Sequence, residues 1–341
     1  MGTGIAYYLG SLAMASALAL PAHADSVEDF YRSHPITLVA GYTPGGGFDL
    51  YARTLASHFG RHIPGHPTII VQNMPGAGSL KATNYMYNVA PKDGSVIALV
   101  RAPVVDSLTG TGASEFDPTK FTWLGSGMAE FGVCAMLGNP QIKTMADAAR
   151  YPFTVAGSGP GSDEDMFTKI LIKLFDLKAK LVSGYPAGAE MLLAVERGEV
   201  DGRCGWSWSS LKAARPEWVT DKKIRVLAAL TLERWPELPD TPAIMEFAKT
   251  ERQKQIFKLV VSPQSLGRPF VAPPAVPAVR AAALRDAFQK TMTDPAFLAD
   301  IAARKLDVSP VDWRGVDAIL KDLYATPKEI IEEARAIIAG K

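Results

Sequence analysis

The amino-acid sequence predicts an α/β protein of two domains. Three consecutive glycines join an apolar segment at residues 36–39 to a segment with helical spacing, which is the pattern of a strand, a turn and a helix. A second unit of the same kind follows at residues 69–89. With the first 24 of 341 residues set aside, the remaining 317 exceed the size at which one hydrophobic core usually stops growing.

The first glycine-rich loop has the composition of an anion-binding turn. Consecutive glycines cost backbone entropy, which a chain accepts where bare N–H groups approach a ligand or where φ turns positive. We predict that a helix begins at about Phe48, with Ala52, Leu55 and Phe59 on the same face. Its free N–H groups and positive dipole end favour a carboxylate or phosphate, and a tight turn without ligand is the alternative. The predicted ligand-binding residues here are Tyr42, Pro44, Gly45, Gly46, Gly47, Phe48 and Asp49.

The second unit places another such loop beside the first. Residues 69–71 read as a strand, 73–79 as the loop and 80–89 as a helix. Loops at the carboxyl ends of neighbouring strands converge on one crevice, which is where open α/β sheets bind ligands. The predicted ligand-binding residues of this loop are Gly76, Ala77, Gly78 and Ser79.

Several ordered motifs carry a resemblance that covers nearly the whole mature chain. The spacing P-G-G-G-x-D-x-x-A-R at residues 44–53, followed by N-x-P-G-A-G at 73–78 and by P-K-D-G at 91–94, resembles the periplasmic solute receptors of tripartite tricarboxylate transporters, also called the Bug family. Further segments resemble later landmarks of that family, and they are residues 157–162, 185–189, 198–201, 238–242 and 271–277.

The resemblance implies a fold and a function together. The fold is a two-lobed periplasmic-binding-protein (Venus flytrap) fold with two interdomain crossovers, for which we place domain I at residues 25–130 and 262–341 and domain II at 131–261. The function is a receptor that captures a small carboxylate and delivers it to integral membrane transporter subunits. We expect a monomer with no catalytic residue, no cofactor and no metal. The second lobe is expected to contribute Ser158, Gly159, Ser162, Tyr185, Ala187 and Gly188.

The first 24 residues have the pattern of an export signal. They contain no charged residue, include an apolar run at residues 12–20 and end in Ala22-His23-Ala24, which fits the small-x-small cleavage rule. We expect cleavage before Asp25 and a periplasmic protein, although the basic residue that usually precedes the apolar run is missing. The run is too short to span a bilayer, and no later stretch reaches about 18 uninterrupted apolar residues.

Charge and cysteine content exclude several classes of protein. The 36 basic and 35 acidic residues leave a net charge of +1, which argues against a nucleic-acid partner because such partners need a basic face. Cys134 and Cys204 are the only cysteines, and an oxidising compartment permits a disulfide between them. Because two cysteines are too few for a disulfide framework and the chain is 48% hydrophobic, we favour buried free thiols over a bridge.

Arg101 follows a predicted strand at residues 95–100. An arginine at the carboxyl end of a buried strand points into the crevice in this architecture, and its planar fork suits a carboxylate. A salt bridge to a neighbouring acid is the alternative. We place the first crossover near residues 129–134, within an apolar run interrupted by glycines, and the return crossing at residues 257–261.

Two features of the second lobe bear on the ligand. Asp163, Glu164 and Asp165 fall in the first turn of a helix, where they complement its dipole; because acids repel anions, we expect them to stay out of direct contact with the ligand. Trp206 and Trp208 are two residues apart and point the same way if they lie on a strand. They are predicted to contact the ligand, with capping of the domain's own core as the alternative.

Catalytic alternatives find little support. No G-x-S-x-G, H-E-x-x-H, C-x-x-C, P-loop or G-x-G-x-x-G motif is present. His58, His62 and His66 lie four apart, which suits a metal on a helix face, but Pro64 and Gly65 end the helix first, so we favour a solvated face. A periplasmic enzyme is therefore the weaker alternative, and a ligand sensor for a membrane receptor kinase shares the binding chemistry.

The ligand is left open among C4 to C9 dicarboxylates, aromatic acids and amides. We hypothesise that Arg101 and the two tryptophans favour a longer or aromatic carboxylate, because a guanidinium anchors the charge while indole faces reward buried apolar surface.

Overall fold

The computed structural model describes residues 1–2, 26–101, 114–186 and 188–341. Residues 3–24 of the predicted export signal, its cleavage site before Asp25, and Ala187 lie outside these residues. The described strands are β1 (Ile36–Ala40), β2 (Ile69–Asn73), β3 (Val96–Leu99), β4 (Thr122–Ser126), β5 (Gly132–Met136), β6 (Phe153–Ala156), β7 (Ala179–Val182), β8 (Gly202–Ser207), β9 (Arg225–Leu230), β10 (Pro269–Ala272) and β11 (Val311–Asp312).

Helices cover the faces and ends of the sheets. They are α1 (Val27–Ser33), α2 (Gly47–Phe59), α3 (Leu80–Asn88), α4 (Met145–Arg150), α5 (Asp163–Phe175), α6 (Gly188–Glu196), α7 (Trp208–Ala214), α8 (Pro216–Thr220), α9 (Glu251–Val261), α10 (Ala278–Met292), α11 (Pro295–Ala303), α12 (Trp313–Tyr324) and α13 (Lys328–Ile338). No helix in the described ranges is long and apolar enough to cross a membrane.

The strands form two separate sheets, one in each lobe. The first sheet has the order β11-β4-β10-β3-β1-β2, and the second has the order β7-β6-β8-β5-β9. β1 runs parallel to β2 and β3, so the loops after β1 and β2 leave the same edge of the first sheet. The predicted two-lobed α/β fold is confirmed. As predicted, α2 buries Ala52, Leu55 and Phe59 against the core of the first lobe.

Two chain segments cross between the sheets side by side. Residues 127–131 connect β4 to β5, and residues 262–268 lead back to β10. The amide of Gly267 donates to the Met128 carbonyl at 3.0 Å, and the amide of Glu130 donates to the Gln264 carbonyl at 2.8 Å. The fold therefore has the two expected crossovers. The expectation that residues 257–261 form the return crossing is wrong, because they complete α9.

The two crossing segments, residues 127–131 and 262–268, are called the hinge below. A buried ion pair joins them. The Arg268 side chain is 1% exposed and the Glu130 side chain 4%, with 3.5 Å between Arg268 Nη2 and Glu130 Oε2. Glu130 also accepts hydrogen bonds from the Ser209 hydroxyl and from the Phe131 amide. Charges taken out of water need such partners, so this pair fixes the path of both crossing segments.

The last helix, α13, packs against the second lobe, although the elements just before it in the chain belong to the first lobe. α12 lies against β4 in the first lobe, whereas α13 packs against α5 and α9. Lys169 Nζ on α5 donates to the Ile338 carbonyl at 2.8 Å. The boundaries at residues 130 and 262 stay a prediction, and α13 contacts elements of domain II although we assigned its residues to domain I.

The cysteines form a disulfide, so the preference for free thiols is wrong. Cys134 in β5 is paired directly with Cys204 in β8 in the antiparallel ladder. Both side chains lie in the core. The sequence separates the two cysteines by 70 residues, and only the register of the strands brings them opposite each other.

We expect the double variant Cys134→Ala/Cys204→Ala to lower the free energy of unfolding. A closed loop of 70 residues restricts the unfolded chain, and its loss costs about 2–4 kcal/mol. Urea unfolding under oxidising conditions measures the difference. Reductant should destabilise the wild type towards the variant and leave the variant unchanged; equal stability of both proteins would contradict the prediction.

His58 and His62 do not form a solvated face, contrary to our interpretation. His58 Nε2 lies 3.1 Å from Asp300 Oδ2, and His62 Nε2 lies 2.7 Å from Asp294 Oδ2, both on or beside α11. His66 lies beyond the helix in a turn with positive φ. Asp294 is the N-cap of α11, and it also contacts the Arg61 guanidinium at 2.6 Å. His58 thus helps to attach α11 to α2, and His62 attaches it to the turn at Gly60–His62 that follows α2.

The stability supplied by Asp294 should depend on pH. Burial alone would raise the pKa of Asp294, but hydrogen bonds from the Ala296 amide and His62, together with the Arg61 charge, lower this pKa to about 2. A carboxyl group whose pKa is lower in the folded than in the unfolded protein stabilises the fold above about pH 4, where it is ionised in both states. This stabilisation is lost as the pH falls towards 2 and the carboxylate is protonated. We expect Asp294→Asn, which retains a capping side chain, to lower the melting temperature at pH 6 and to differ less from wild type at pH 3. An equal difference at both pH values would contradict this.

Candidate ligand-binding cleft

A cavity of about 1030 Å³ lies between the two lobes. The loops after β1 and β2 line it on the first-lobe side. On the second-lobe side it is lined by residues of the loop after β6, of β8, and of α5, α6 and α7. A Cβ atom added to Gly78 would lie 3.4 Å from the Gly161 carbonyl, so loops of opposite lobes nearly touch. The predicted convergence of the loops on one crevice is what the structure shows.

Asp49 holds the first loop in shape from behind. Its carboxylate is buried and accepts hydrogen bonds from the Gly45 amide at 2.9 Å, from Arg53 Nε at 3.0 Å and from Asn73 Nδ2 at 2.7 Å. Burial alone would raise the pKa of Asp49, but these bonds together hold the pKa below its usual value. Asp49 is therefore ionised and holds the loop in position through these hydrogen bonds, and it does not line the cavity.

Glycines let the first loop approach its surroundings. Gly45 has a φ of +81°, which side-chain-bearing residues rarely adopt. Gly47 is the first residue of α2, and a Cβ atom there would extend towards Arg268 Nη2 and Ser210 Oγ at 3.8 and 3.9 Å. The N-cap residue of α2, Gly46, makes no side-chain capping bond. The first-turn amides of α2 therefore face the cavity without a cap, as an anion site requires.

An aromatic stack forms one side of this loop. The Tyr42 and Phe48 rings are stacked with centroids 3.9 Å apart, and the Arg268 guanidinium lies 3.9 Å from the Phe48 centroid. Burial raises the pKa of the Tyr42 hydroxyl, against the opposing effect of the nearby Arg101 charge. Tyr42 is therefore a neutral hydrogen-bonding group at neutral pH.

Arg101 reaches across the cleft to the second lobe. Its guanidinium forms an ion pair with Asp163, at the start of α5, and both side chains line the cavity. Burial lowers the pKa of Arg101. Its backbone amide donates to Ser79 Oγ at 3.1 Å. The salt bridge that we held as the alternative is thus present, and it joins the two lobes.

The three acids at the start of α5 lie in two different environments. Asp165 is buried and accepts hydrogen bonds from the Gly159 amide and the Ser162 and Ser183 hydroxyls, at 3.0, 3.1 and 2.6 Å. Asp163 and Glu164 line the cavity, Asp163 paired with Arg101 and Glu164 with Arg203. That the three acids stay out of direct contact with the ligand remains a prediction. Both lie in the first turn of α5, directly after its N-cap Ser162.

Arg203 is a cavity residue that the sequence did not reveal. Its side chain is 5% exposed, and Nη2 donates to Glu164 Oε1 at 2.5 Å. Burial lowers the pKa of Arg203, and its buried Nε–H has no partner. Its guanidinium lies 4.5 Å from the Trp206 centroid. The bulge at Gly205, which has a φ of +86°, interrupts strand alternation, so alternation alone could not place Arg203.

The two tryptophans do not leave one strand side by side, contrary to our expectation. Trp206 is buried in β8 and lines the cavity, with Arg203 over its ring and Trp218 edge-on at 6.2 Å. Trp208 begins α7 after the N-cap Ser207, and its Nε1 donates to Glu237 at 2.9 Å. Trp208 lies in a separate cavity of about 220 Å³ behind the hinge.

The cavity brings most of the predicted site residues together. Those that line it are Tyr42, Pro44, Gly45, Gly46, Gly47, Phe48, Gly76, Gly78, Ser79, Arg101, Ser158, Ser162, Gly188 and Trp206. Asp49, Gly159, Tyr185 and Trp208 are absent from its lining, Ala77 lies in the short turn before α3, and Ala187 is outside the described residues. Ser158 Oγ contacts Glu164 Oε2 at 3.4 Å.

Comparison of the sequence with protein families and with known proteins found the following relatives. The sequence profile of the protein family described as the tripartite tricarboxylate transporter family receptor matches residues 52–335 of this chain. The "UPF0065 protein in gbd 5'region" of Cupriavidus necator is 30% identical over 318 residues, covering 90% of this chain and 87% of that protein.

Solved structures show the same fold. The periplasmic binding protein BugD has a TM-score of 0.67 at 20% identity, with 89% of this chain and 98% of that chain covered. MatC from Rhodopseudomonas palustris with bound malate has a TM-score of 0.63 at 19% identity, covering 90% and 99%. An R. palustris protein with adipate has a TM-score of 0.66 at 18% identity, covering 89% and 97%. The chain therefore belongs to the tripartite tricarboxylate transporter receptor family.

Proposed function

We propose that this protein is a periplasmic solute receptor that captures a small carboxylate between its lobes and delivers it to the membrane subunits of a tripartite transporter. The observation that carries the proposal is the uncapped first turn of α2, which faces a cavity between two hinged lobes. Relatives of this fold hold malate and adipate, and family membership supports a transport role.

The energetics favour a ligand that touches both lobes. About four hydrogen bonds to a carboxylate, at about 1.5–3 kcal/mol each, give about 6–12 kcal/mol before ordering costs. Micromolar affinity needs about 8 kcal/mol net, so the first-lobe loops alone are marginal. A further contact in the second lobe is then required, and this requirement couples binding to lobe closure.

Thermal unfolding of the mature protein with a ligand panel tests the proposal. We expect carboxylates to raise the melting temperature, whereas sugars and cations should not. Stabilisation by sugars or cations only would refute a carboxylate receptor. Uptake of the binding carboxylate by cells with and without this chain tests the delivery step, and equal uptake would refute a transport role.

The matched variant for this experiment is Gly47→Val. The φ of Gly47 is not positive, and an added Cβ extends into the cavity with its nearest neighbours 3.8 and 3.9 Å away. We expect valine to occupy ligand space and weaken binding at least about tenfold, while Gly47→Ala has a smaller effect. Calorimetry measures both variants. Wild-type affinity in Gly47→Val would place the ligand elsewhere.

A further inference from the structure

A hydroxyl group of the second lobe lies opposite the first turn of α2 across the cleft. Ser210 belongs to α7, is exposed and lines the cavity. A Cβ atom on Gly47, the first residue of α2, would lie 3.9 Å from Ser210 Oγ. A carboxylate oxygen bound to the first-turn amides of α2 can therefore come within hydrogen-bond distance of this hydroxyl.

The Ser210 hydroxyl has a proton to donate. A serine hydroxyl carries one O–H donor and two acceptor lone pairs. The Ser207 hydroxyl donates to Ser210 Oγ at 2.9 Å, so Ser210 is the acceptor in this pair. Within the described part of the chain, the Ser210 O–H has no acceptor of its own. Its proton is thus available to a group that enters the cavity.

Two other second-lobe serines that line the cavity already donate within the protein. The Ser158 hydroxyl donates to Glu164 Oε2 at 3.4 Å, and the Ser162 hydroxyl donates to Asp165 Oδ1 at 3.1 Å. Either serine would have to give up its bond in order to donate to a ligand. Ser210 can donate without such a loss, so it is the better partner for an anion.

The backbone of α7 holds the Ser210 side chain in this position. The first three amides of α7 donate to the Phe131 carbonyl at 3.0 Å, to Glu130 Oε1 at 3.4 Å and to Ser207 Oγ at 3.2 Å. Phe131 and Glu130 belong to the hinge, so these bonds attach the start of α7 to it. Because the three amides are occupied, what α7 offers to a ligand here is the Ser210 hydroxyl.

We infer that Ser210 donates a hydrogen bond to the same ligand carboxylate that the first turn of α2 binds, so that the two lobes hold one carboxylate group between them. This inference rests on the proposed carboxylate-receptor function. It assigns the second-lobe contact that the energetics require to a residue that the sequence analysis did not select. A carboxylate shared in this way has all its donors only while the lobes are closed, so it favours the closed state.

Calorimetry with a series of carboxylates tests the inference. The series contains unbranched C2 to C9 mono- and dicarboxylates and benzoate, and the tightest binder of the wild type is used for the variants. We expect Ser210→Ala to weaken binding at least about tenfold, a difference of about 1.4 kcal/mol, because a hydrogen bond to a charged group is lost. Ser210→Thr keeps a hydroxyl and should bind within about threefold of the wild type.

Ser57→Ala is the matched control variant. Ser57 is an exposed serine of α2 whose hydroxyl donates to the Arg53 carbonyl at 2.9 Å, and it does not line the cavity. This variant should bind as the wild type does, and thermal unfolding without ligand checks that every variant is folded.

The outcomes separate this inference from the receptor function. Wild-type affinity in Ser210→Ala would overturn the inference and leave the receptor function intact, and so would an equal loss of affinity in Ser210→Ala and Ser210→Thr. A wild type that binds no member of the series would refute the receptor function and this inference with it.

Discussion

Arg268→Met is expected to lower the free energy of unfolding by about 3–5 kcal/mol, because it leaves the buried Glu130 carboxylate without a counter-charge. Arg268 also lies over the Phe48 ring and donates from Nη1 to the Gly267 carbonyl at 2.9 Å. Urea unfolding measures the loss. The effect should be larger than that of any exposed ion pair in the protein.

Two further variants separate the charge effect from lost packing. In Arg268→Met/Glu130→Gln the buried charge is removed while the acceptor for Ser209 remains, and most of the stability should return. Lys290→Met breaks an exposed pair with Asp286 and should cost at most about 1 kcal/mol. If the double variant were as unstable as Arg268→Met, the cost would come from packing and the electrostatic explanation would be wrong.

Arg101→Met is expected to weaken binding of the best carboxylate ligand about 30-fold or more, corresponding to about 2–5 kcal/mol for truncating one member of a desolvated pair. The reason is the Asp163 carboxylate, which would then face the ligand unpaired. Calorimetry measures the affinity, and thermal unfolding without ligand checks that the variant is folded.

The double variant Arg101→Met/Asp163→Asn tests this reason. It removes both charges, so the affinity should return to within about threefold of wild type (~0.6 kcal/mol). Affinity as low as in Arg101→Met would contradict the repulsion argument and identify Arg101 itself as the anchor of the carboxylate, which was our original prediction from its position after β3.

Local patterns predicted the strands, loops and helix around the first-lobe side of the cavity well. The glycines of the first two loops and the apolar face of α2 depend on residues close in sequence, so strand, loop and helix could be inferred from spacing alone. Parallel pairing of β1 with β2 then brings the loops together. The remaining site residues depend on contacts between segments that are distant in the chain.

Three features of the structure differ in how far the sequence could reveal them. The Cys134–Cys204 bridge depends on strand register across 70 residues. The partner of Arg101 lies in the other lobe, which no local pattern reports. The conformation of Trp208 did have a local signal, because Ser207 caps α7 by accepting from the Ser210 amide at 3.2 Å. The sequence analysis took the strand to continue through Trp208 and did not consider a helix start there, although serine is a preferred N-cap residue.

The position of α13 gives the last helix contacts with elements of the second lobe. A hinge of two adjacent segments permits both bending and twisting. The helix α13 follows elements of the first lobe in the chain but packs against α5 and α9, so it adds a third connection between the lobes, away from the hinge. If the lobes close around a ligand as proposed, we expect three separated attachments to resist twisting and to leave bending as the softest motion. Because Ile338 also lines the cavity, the end of this helix lies close to the ligand space. A fluorophore attached at the exposed Lys341 should therefore report closure, and a bulky carboxy-terminal fusion should slow it.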